Sequence, residues 1–474
     1  MARESKDSLL SMIRDGRPMS LRQQLTLTAQ LSIPAILAQL TSIVMQYIDA
    51  SMVGSLGADD AASIGLVSTS LWLLGGICSA VATGFSVQVA HLIGANKPAD
   101  ARNVLRQSFV ASFVFSALLA ILGMSISPFL PHWLGGNAAI TENATRYFFI
   151  FTLAIPLLQF DFLASGMLRC SGNMRIPSII NVLMCVLDVL FNFLFIFPSH
   201  TIHVAGTSFV LPGAGLGVTG AAIGTVLAEA VGAILMIYYL VFRSTEMKLV
   251  QDHGGFIPTK ACLSKAYHIG FPMGMQHMLM CSAQVLITAI VAPLGSIAIA
   301  ANSFGITAES LCYMPGYGIS DAATTLVGQG VGAGRRDLTR QFARITVVLG
   351  MIIMGMMGVL LYVAAPVMMG IMTPVREVVE LGTQALRIEA FAEPLFAASI
   401  VTYGVFVGAG DTVMPCWMNL FSMWAVRLTL AALLVGSMGL LGVWTAMCIE
   451  LCFRGTIFLI RLSTGRWLKV IDKN

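Results

Sequence analysis

The chain has 474 residues, 57% of them hydrophobic and 11% charged, with a formal net charge of +4. Soluble domains carry about 25% charged residues, so the composition excludes an ordinary soluble protein and places the chain in the membrane class. The small net charge, with no clustered basic arm, gives no footing for a nucleic-acid partner. The nine Cys are an odd number, lie in or beside apolar runs and lack metal-type spacing; they read as small packing hydrophobes.

In chain order, residues 1–24 form a polar tail without the apolar core or cleavage site of a secretory signal, so the first span is expected to act as its own insertion signal. A bilayer core needs roughly 20 apolar residues per helix. Twelve such runs are predicted, at about 28–50, 60–84, 107–130, 145–168, 176–198, 217–242, 264–292, 298–325, 342–370, 382–408, 414–435 and 439–461. They divide the chain into a tail (1–24), a first lobe (25–243), a linker (244–263), a second lobe (264–463) and a tail (464–474).

Lys and Arg in the loops set orientation. One side collects Arg14, Arg17, Arg22, Lys97, Arg102, Arg106, Arg169, Arg175, Lys248, Lys260, Lys265, Arg335, Arg336, Arg340, Arg344, Arg466, Lys469 and Lys473. The other has Arg146, Arg376 and Arg387, so both termini are expected to be cytoplasmic. The outer stretch 200–215, HTIHVAGTSFVLPGAG, alternates and carries Gly and Pro, which predicts a small hairpin or extended loop.

The chain repeats itself. GANKPADARNVLR at Gly94 matches GAGRRDLTRQFAR at Gly332, a shift of 238 residues. The same shift pairs Pro34 with Pro272, Gly57 with Gly295, Pro156 with Pro394, Gly172 with Gly410 and Asn181 with Asn419. Later, Gly217 pairs with Gly439 at a shift of 222, so the first half carries extra residues that form the outer stretch. Six spans per half make parallel repeats, the organisation of two-lobed secondary transporters.

Other chemistries find no support. There is no GxxxxGK[ST], HExxH or GxSxG, and the seven His are scattered, with His200 and His203 in the outer stretch. No catalytic cluster of an enzyme is visible, and an ion gradient is the expected energy source. Each charge at membrane depth costs about 2.5–3.5 kcal/mol and needs an explanation. Glu450 and Arg454, four residues apart, are expected to pair on one helix face. Asp161 and Glu229 are expected near helix ends, and Glu389 near the outer interface. Glu393, just before Pro394, and Arg427 receive no role.

The stretch CVLDVLFNFLFIF (185–197) stands out: it is apolar except for Asp188 and Asn192, which share one helix face near mid-span with no basic residue within a turn. Such a pair offers oxygens to a small cation, or a titratable site with a hydrogen-bond partner; a helix–helix hydrogen bond is the alternative.

The segments VGQGVGAGRRDLTR (327–340), QVAHLIGANKPADAR (88–102), YIDASMVGSLG (47–57), LRCSGNMRIP (168–177) and VGAGDTVMP (407–415) resemble those of the multidrug and toxic compound extrusion (MATE) family, over residues 25 to 465. The resemblance implies an all-α integral membrane fold of twelve helices in a V of two six-helix lobes. It implies a bacterial inner-membrane antiporter exporting drugs or amphipathic, often cationic, metabolites against H⁺ or Na⁺. It implies no cofactor beyond the coupling ion and no metal beyond possible Na⁺; small-molecule substrates and the bilayer are the expected partners, with the chain as a monomer. A first-lobe cation site falls on Asp49, Asp188 and Asn192. Archaeal members resemble an Asn-x-x-x-Asp order in the fifth helix; here it is reversed. In the seventh helix, Met280 stands where some Na⁺-coupled members carry an acid. Glu309 is the best second-lobe acid for substrate, with Met280 beside it; the run Met273, Met275, Met278 and Met280 reads as an adaptable lining or as packing. A lipid-linked precursor or polysaccharide flippase of related two-lobe fold is the second reading, disfavoured because Arg427 and Arg454 are the only mid-span bases.

Overall fold

The structure is a computed structural model describing residues 5–204 and 207–468. Lys469, Lys473 and most of the tail 464–474 lie outside the described residues, as do residues 1–4. The first half comprises α1 (Lys6–Arg14), α2 (Leu21–Gly54), α3 (Ala58–Gly94), α4 (Pro98–Ile126), α5 (Leu130–Trp133), α6 (Ala138–Leu153), α7 (Ile155–Cys170), α8 (Arg175–Ile196), the strands β1 (Pro198–Val204) and β2 (Thr207–Ala214), and α9 (Gly217–Tyr238). The second half comprises α10 (Lys260–Val291), α11 (Ser296–Gly332), α12 (Arg336–Met372), α13 (Arg376–Ala390), α14 (Glu393–Ala409), α15 (Val413–Phe421), α16 (Leu428–Met438) and α17 (Leu440–Thr464).

Among the described residues nine helical spans are long and apolar enough to cross a membrane alone, and the bent pairs α6–α7 and α13–α14 raise this to eleven. The twelfth is α11, whose 37 residues are diluted by Gly, Ser, Glu309 and Asp321 because it lies at the centre of the molecule. The expected outer stretch is a hairpin, with Thr201 opposite Val210 and Val204 opposite Thr207. Helix α10 begins at Lys260, inside the stretch assigned to the linker.

The sequence repeat is also a structural repeat. Pro34 and Pro272 lie inside α2 and α10. Gly57 and Gly295, at φ 138° and 99°, make the turns into α3 and α11, where a side chain would be strained. The 48° and 59° bends sit just before Pro156 and Pro394, whose missing N–H breaks the helical ladder. Large apolar side chains on the outside, such as Ile371, Leu433 and Val359, face where lipid would be.

The halves meet where α3 packs on α10 and α11, and α2 on α11. At the end carrying the basic loops (the basic end) contact is tight. Gly94 lies against the backbone of Gln329 and Gly332 against that of His91, so closely that a Cβ at either would collide. The Arg169 guanidinium donates to Asp321 Oδ2 at 2.7 Å, Gln329 to the Cys170 carbonyl at 3.0 Å, and His91 Nε2 lies 2.8 Å from the Gly408 carbonyl. Helix α1 plugs the same end, burying Leu9, Leu10 and Ile13 against Leu27, Leu326 and Phe342. Toward the hairpin end the lobes part around a central cavity, which gives the V.

The linker is clamped at the basic end. Asp252 pairs with Arg102 at 2.7 Å and Arg106 at 2.6 Å, and Arg14 pairs with Glu246. The two guanidiniums hold the Asp252 carboxyl well below its ordinary range, at about 2. A depressed folded-state value stabilises above the unfolded value, near 4, and that contribution is lost as pH falls through about 2. At neutral pH the clamp is therefore intact. Asp252→Asn is expected to free the linker, seen as faster cleavage between residues 244 and 259 in limited proteolysis at pH 7; cleavage at the wild-type rate would refute the clamp.

Candidate cation site and substrate cavity

Asp49 lies in the last two turns of α2, Asp188 and Asn192 on one face of α8, and α2 packs along α8. The i, i+4 spacing points both α8 side chains at the end of α2. Asn192 Nδ2 donates to Asp49 Oδ1 at 3.0 Å and to Asp188 Oδ2 at 3.2 Å, so one amide draws two carboxylates together. Asp188 and Asn192 are each 1% exposed. Asp188 Oδ1 and Asn192 Oδ1 have no hydrogen-bond partner among the described residues. The sequence-predicted trio is thus one cluster in the first lobe, with Asp188 and Asn192 buried and Asp49 half-buried, and none of the three lines the cavity.

Among the described residues no Arg or Lys acts on either carboxylate. Two negative charges at this separation, away from water, need a positive charge between them. Thr225 of α9 sits beside Asp188, and Tyr147 of α6 lies within the field of both acids. Gly224 lets α9 approach so closely that a Cβ would strike Asn192. Sequence reading missed Thr225, Tyr147 and Gly224; a hydroxyl or a glycine in an apolar helix carries no signal of its own until its neighbours are known.

The cavity between the lobes has a volume of about 720 Å³, the size of a drug-binding pocket. Tyr47, Trp72, Tyr313, Tyr317, Phe396 and Trp444 supply aromatic walls. Glu309 and Met280 both line it, whereas Met273 packs in the core and Met275 and Met278 are not part of the wall. Glu309 is nearly buried, on the central helix α11.

Arg427 and Arg454 also reach the cavity, but they converge on Glu450, which is fully buried. Arg427 contacts Glu450 Oε2 at 2.7 Å, and Arg454 donates to the same oxygen at 3.0 Å; Ser422 donates to the carboxylate as well. A π-helical turn, Ser422–Arg427, joins α15 to α16 and carries two of these residues. The predicted Glu450–Arg454 pair is therefore a triad with Arg427.

Three expectations are corrected. Asp161 is the seventh residue of the sixteen in α7, and Glu229 lies in the middle of α9, so neither sits at a helix end. Asp161 is buried and Glu229 half-buried, where α7 packs on α9. Glu389 is not at an interface: it is fully buried at the α13–α14 bend, as is Glu393, and none of their four carboxylate oxygens has a hydrogen-bond partner. The bend turns both side chains inward, which hydropathy alone does not reveal.

These features define a two-lobed, multi-pass membrane transporter. The MatE family model matches residues 34–194 and 272–433, two stretches that begin 238 residues apart, and the chain belongs to this family. A probable multidrug resistance protein NorM of Thermotoga maritima is 26% identical over 93% of this chain and 92% of its own length. The multidrug resistance protein MdtK of Yersinia pestis is 22% identical over 93% and 94%. In fold, the chain matches a MATE crystal structure in complex with MaL6 (TM-score 0.86, 18% identity, covering 98% of this chain and 99% of that one). It equally matches an outward-facing multidrug resistance MATE family transporter of the MOP superfamily (TM-score 0.87, 19% identity, 99% and 100%).

Removing one partner of a buried ion network leaves the others uncompensated, at a cost of about 3–5 kcal/mol. Glu450→Gln is accordingly expected to lower the melting temperature in detergent markedly, whereas Glu142→Gln, in an exposed pair with Arg146, should not. Equal melting temperatures for the two variants would contradict the triad's structural role.

Proposed function

We propose that this protein is a secondary active antiporter of the bacterial inner membrane. It exports drugs or amphipathic, often cationic, metabolites in exchange for an inward cation. The basic end faces the cytoplasm, which places both termini there, and the first lobe (25–243) and second lobe (264–463) rock about the cavity. The observation that carries the reading is the Asn192-bridged Asp49–Asp188 pair, which has no fixed counter-charge among the described residues. A site that must borrow its positive charge is one whose occupancy an ion gradient can set.

The cavity supports a cationic, amphipathic cargo. Aromatic walls attract cations and bury apolar surface, and Glu309 adds one carboxylate. The two arginines in the wall face Glu450 and Glu309, so the cavity carries no excess positive charge for an anionic lipid precursor. This disfavours the flippase. The cavity is complete within one chain, so a monomer suffices, and the reading requires neither an enzymatic step nor a cofactor.

H⁺ is the first choice of coupling ion over Na⁺. Asn192 turns its N–H donor toward both carboxylates, so Asp49 Oδ1 and Asp188 Oδ2 already accept a hydrogen bond from it. In the cycle, protons enter the pair while the cavity is open outward. The neutral pair no longer repels itself, α2 repacks against α8, and substrate affinity falls. Coupling requires that proton and substrate each favour a different state.

In proteoliposomes an imposed pH gradient alone is expected to drive ethidium transport, and Asp188→Asn should abolish it while leaving expression and melting temperature intact. Transport by Asp188→Asn at the wild-type rate would sink the site assignment. Transport driven by a Na⁺ gradient alone would assign the ion to Na⁺ instead.

A further inference from the structure

Two acids of the first lobe, the buried Asp161 and the half-buried Glu229, take no part in the site just described. Their placement relates them to it. Thr225, beside Asp188, starts a stripe on α9 that continues through Glu229 and Gly232, at i, i+4 and i+7. This stripe descends about 10 Å toward the basic end. Glu229 lies within the field of Asp188 and Asp161 and of no base. At Gly232 the missing side chain leaves room for Met184 of α8 and for Asp161 of α7, whose Oδ1 lies 3.7 Å from where a Cβ would stand.

From there a second stripe takes over. Asp161, Ser165 and Arg169 are at i, i+4 and i+8 on α7, descending about 12 Å further. Asp161 is 8% exposed and Ser165 5%, yet Asp161 Oδ1 and Ser165 Oγ have no hydrogen-bond partner. Arg169, a quarter exposed, ends the line in its ion pair with Asp321 of the second lobe. Unsatisfied oxygens at this depth are costly, and two of them on one stripe of α7, below Glu229, are successive places where a water or a proton can be held.

We propose that Glu229 and Asp161 form a proton relay carrying H⁺ from the Asp49–Asp188 pair to the basic end of the first lobe. The steps balance. The Asp188 carboxyl gives its proton through a bridging water to the Glu229 carboxylate and is left ionised. Glu229 passes a proton to Asp161, and Asp161 passes one to water near Ser165 and Arg169. Each hop moves one proton inward and restores the carboxylate behind it. The charged and titratable groups facing the path are Asp49 from α2, Tyr147 from α6, Arg169 from α7, and Cys185 and Asp188 from α8. Asp321 meets the path only through Arg169. The pairing of Arg169 with Asp321 means that the relay ends on a contact that holds the lobes together.

The inference rests on the proton reading of the cation pair, and the test separates the two. Ethidium is added to detergent-solubilised protein, and proton release is followed with a pH dye. Wild type is expected to release protons on binding, and Asp188→Asn to abolish release. Asp161→Asn and Glu229→Gln should bind ethidium with unchanged Kd but release protons on the order of 100-fold more slowly. Asp161→Glu should restore most of the rate. Should the neutral variants fail to fold, Glu229→Asp keeps the acid but shortens its reach, and slower release at unchanged Kd is expected. If Asp188→Asn abolishes release while the Asp161 and Glu229 variants keep the wild-type rate, the relay is overturned and the cation pair stands. If wild type releases no protons, both fall.

Discussion

The structure depends on one constraint: a carboxylate placed among apolar helices must find a positive charge or take up a proton. The two lobes meet it in different ways. In the second lobe Glu450 is held by Arg427 and Arg454, both parts of the protein, so its charge is settled once and permanently. In the first lobe Asp49 and Asp188 share an amide, which orients them but brings no charge. Their compensation has to come from solution. A permanently paired acid can only support the fold. An acid pair that borrows its counter-charge can respond to a gradient, because its occupancy depends on which side of the membrane it faces.

The repeat makes this asymmetry visible. Shared positions are those that shape the backbone: Pro34 and Pro272 within the first helix of each lobe, Gly57 and Gly295 at the turns, Pro156 and Pro394 at the bends. The polar groups of the proposed cation site are not shared. At the 238-residue shift Asp188 and Asn192 meet Val426 and Leu430. One architecture, used twice, therefore supplies a matched pair of rigid lobes, and chemistry is added to each separately. The close approach of Gly94 to Gln329 and of Gly332 to His91 then lets the lobes lock at one end, while the aromatic cavity stays open between them.

Much of this was legible in the sequence. Composition and apolar run length give the spans, because lipid demands both and punishes exceptions. The i, i+4 spacing of Asp188 and Asn192 gives a shared helix face, because helical geometry is local. The hairpin could be read from alternation and Gly. What could not be read depends on which helices become neighbours. Helix α11 hardly looks like a lipid-facing span because its environment is protein. Asp161 and Glu229 read as helix-end acids because hydropathy cannot distinguish an acid at a frayed terminus from one facing another helix. Thr225 and Gly224 gain meaning only once α9 is laid against α8. Arg427 is aimed at Glu450 by a π-helical turn that no periodicity announces.

The reversed order in α8 acquires a physical meaning in this setting. Helix α8 rises from the basic end toward the hairpin, so position 188 lies one turn, about 6 Å, nearer the basic end than position 192. Asp188-x-x-x-Asn192 keeps both groups on the face that meets α2, but it sets the carboxylate deeper than an Asn-x-x-x-Asp order would. At that depth the carboxylate stands beside Thr225, one turn of α9 from Glu229. In the opposite order an amide would occupy that place, and an amide cannot hand on a proton. The exchange of two residues that leaves the proposed cation cluster intact is thus also what sets its acid beside Thr225, one turn of α9 from Glu229.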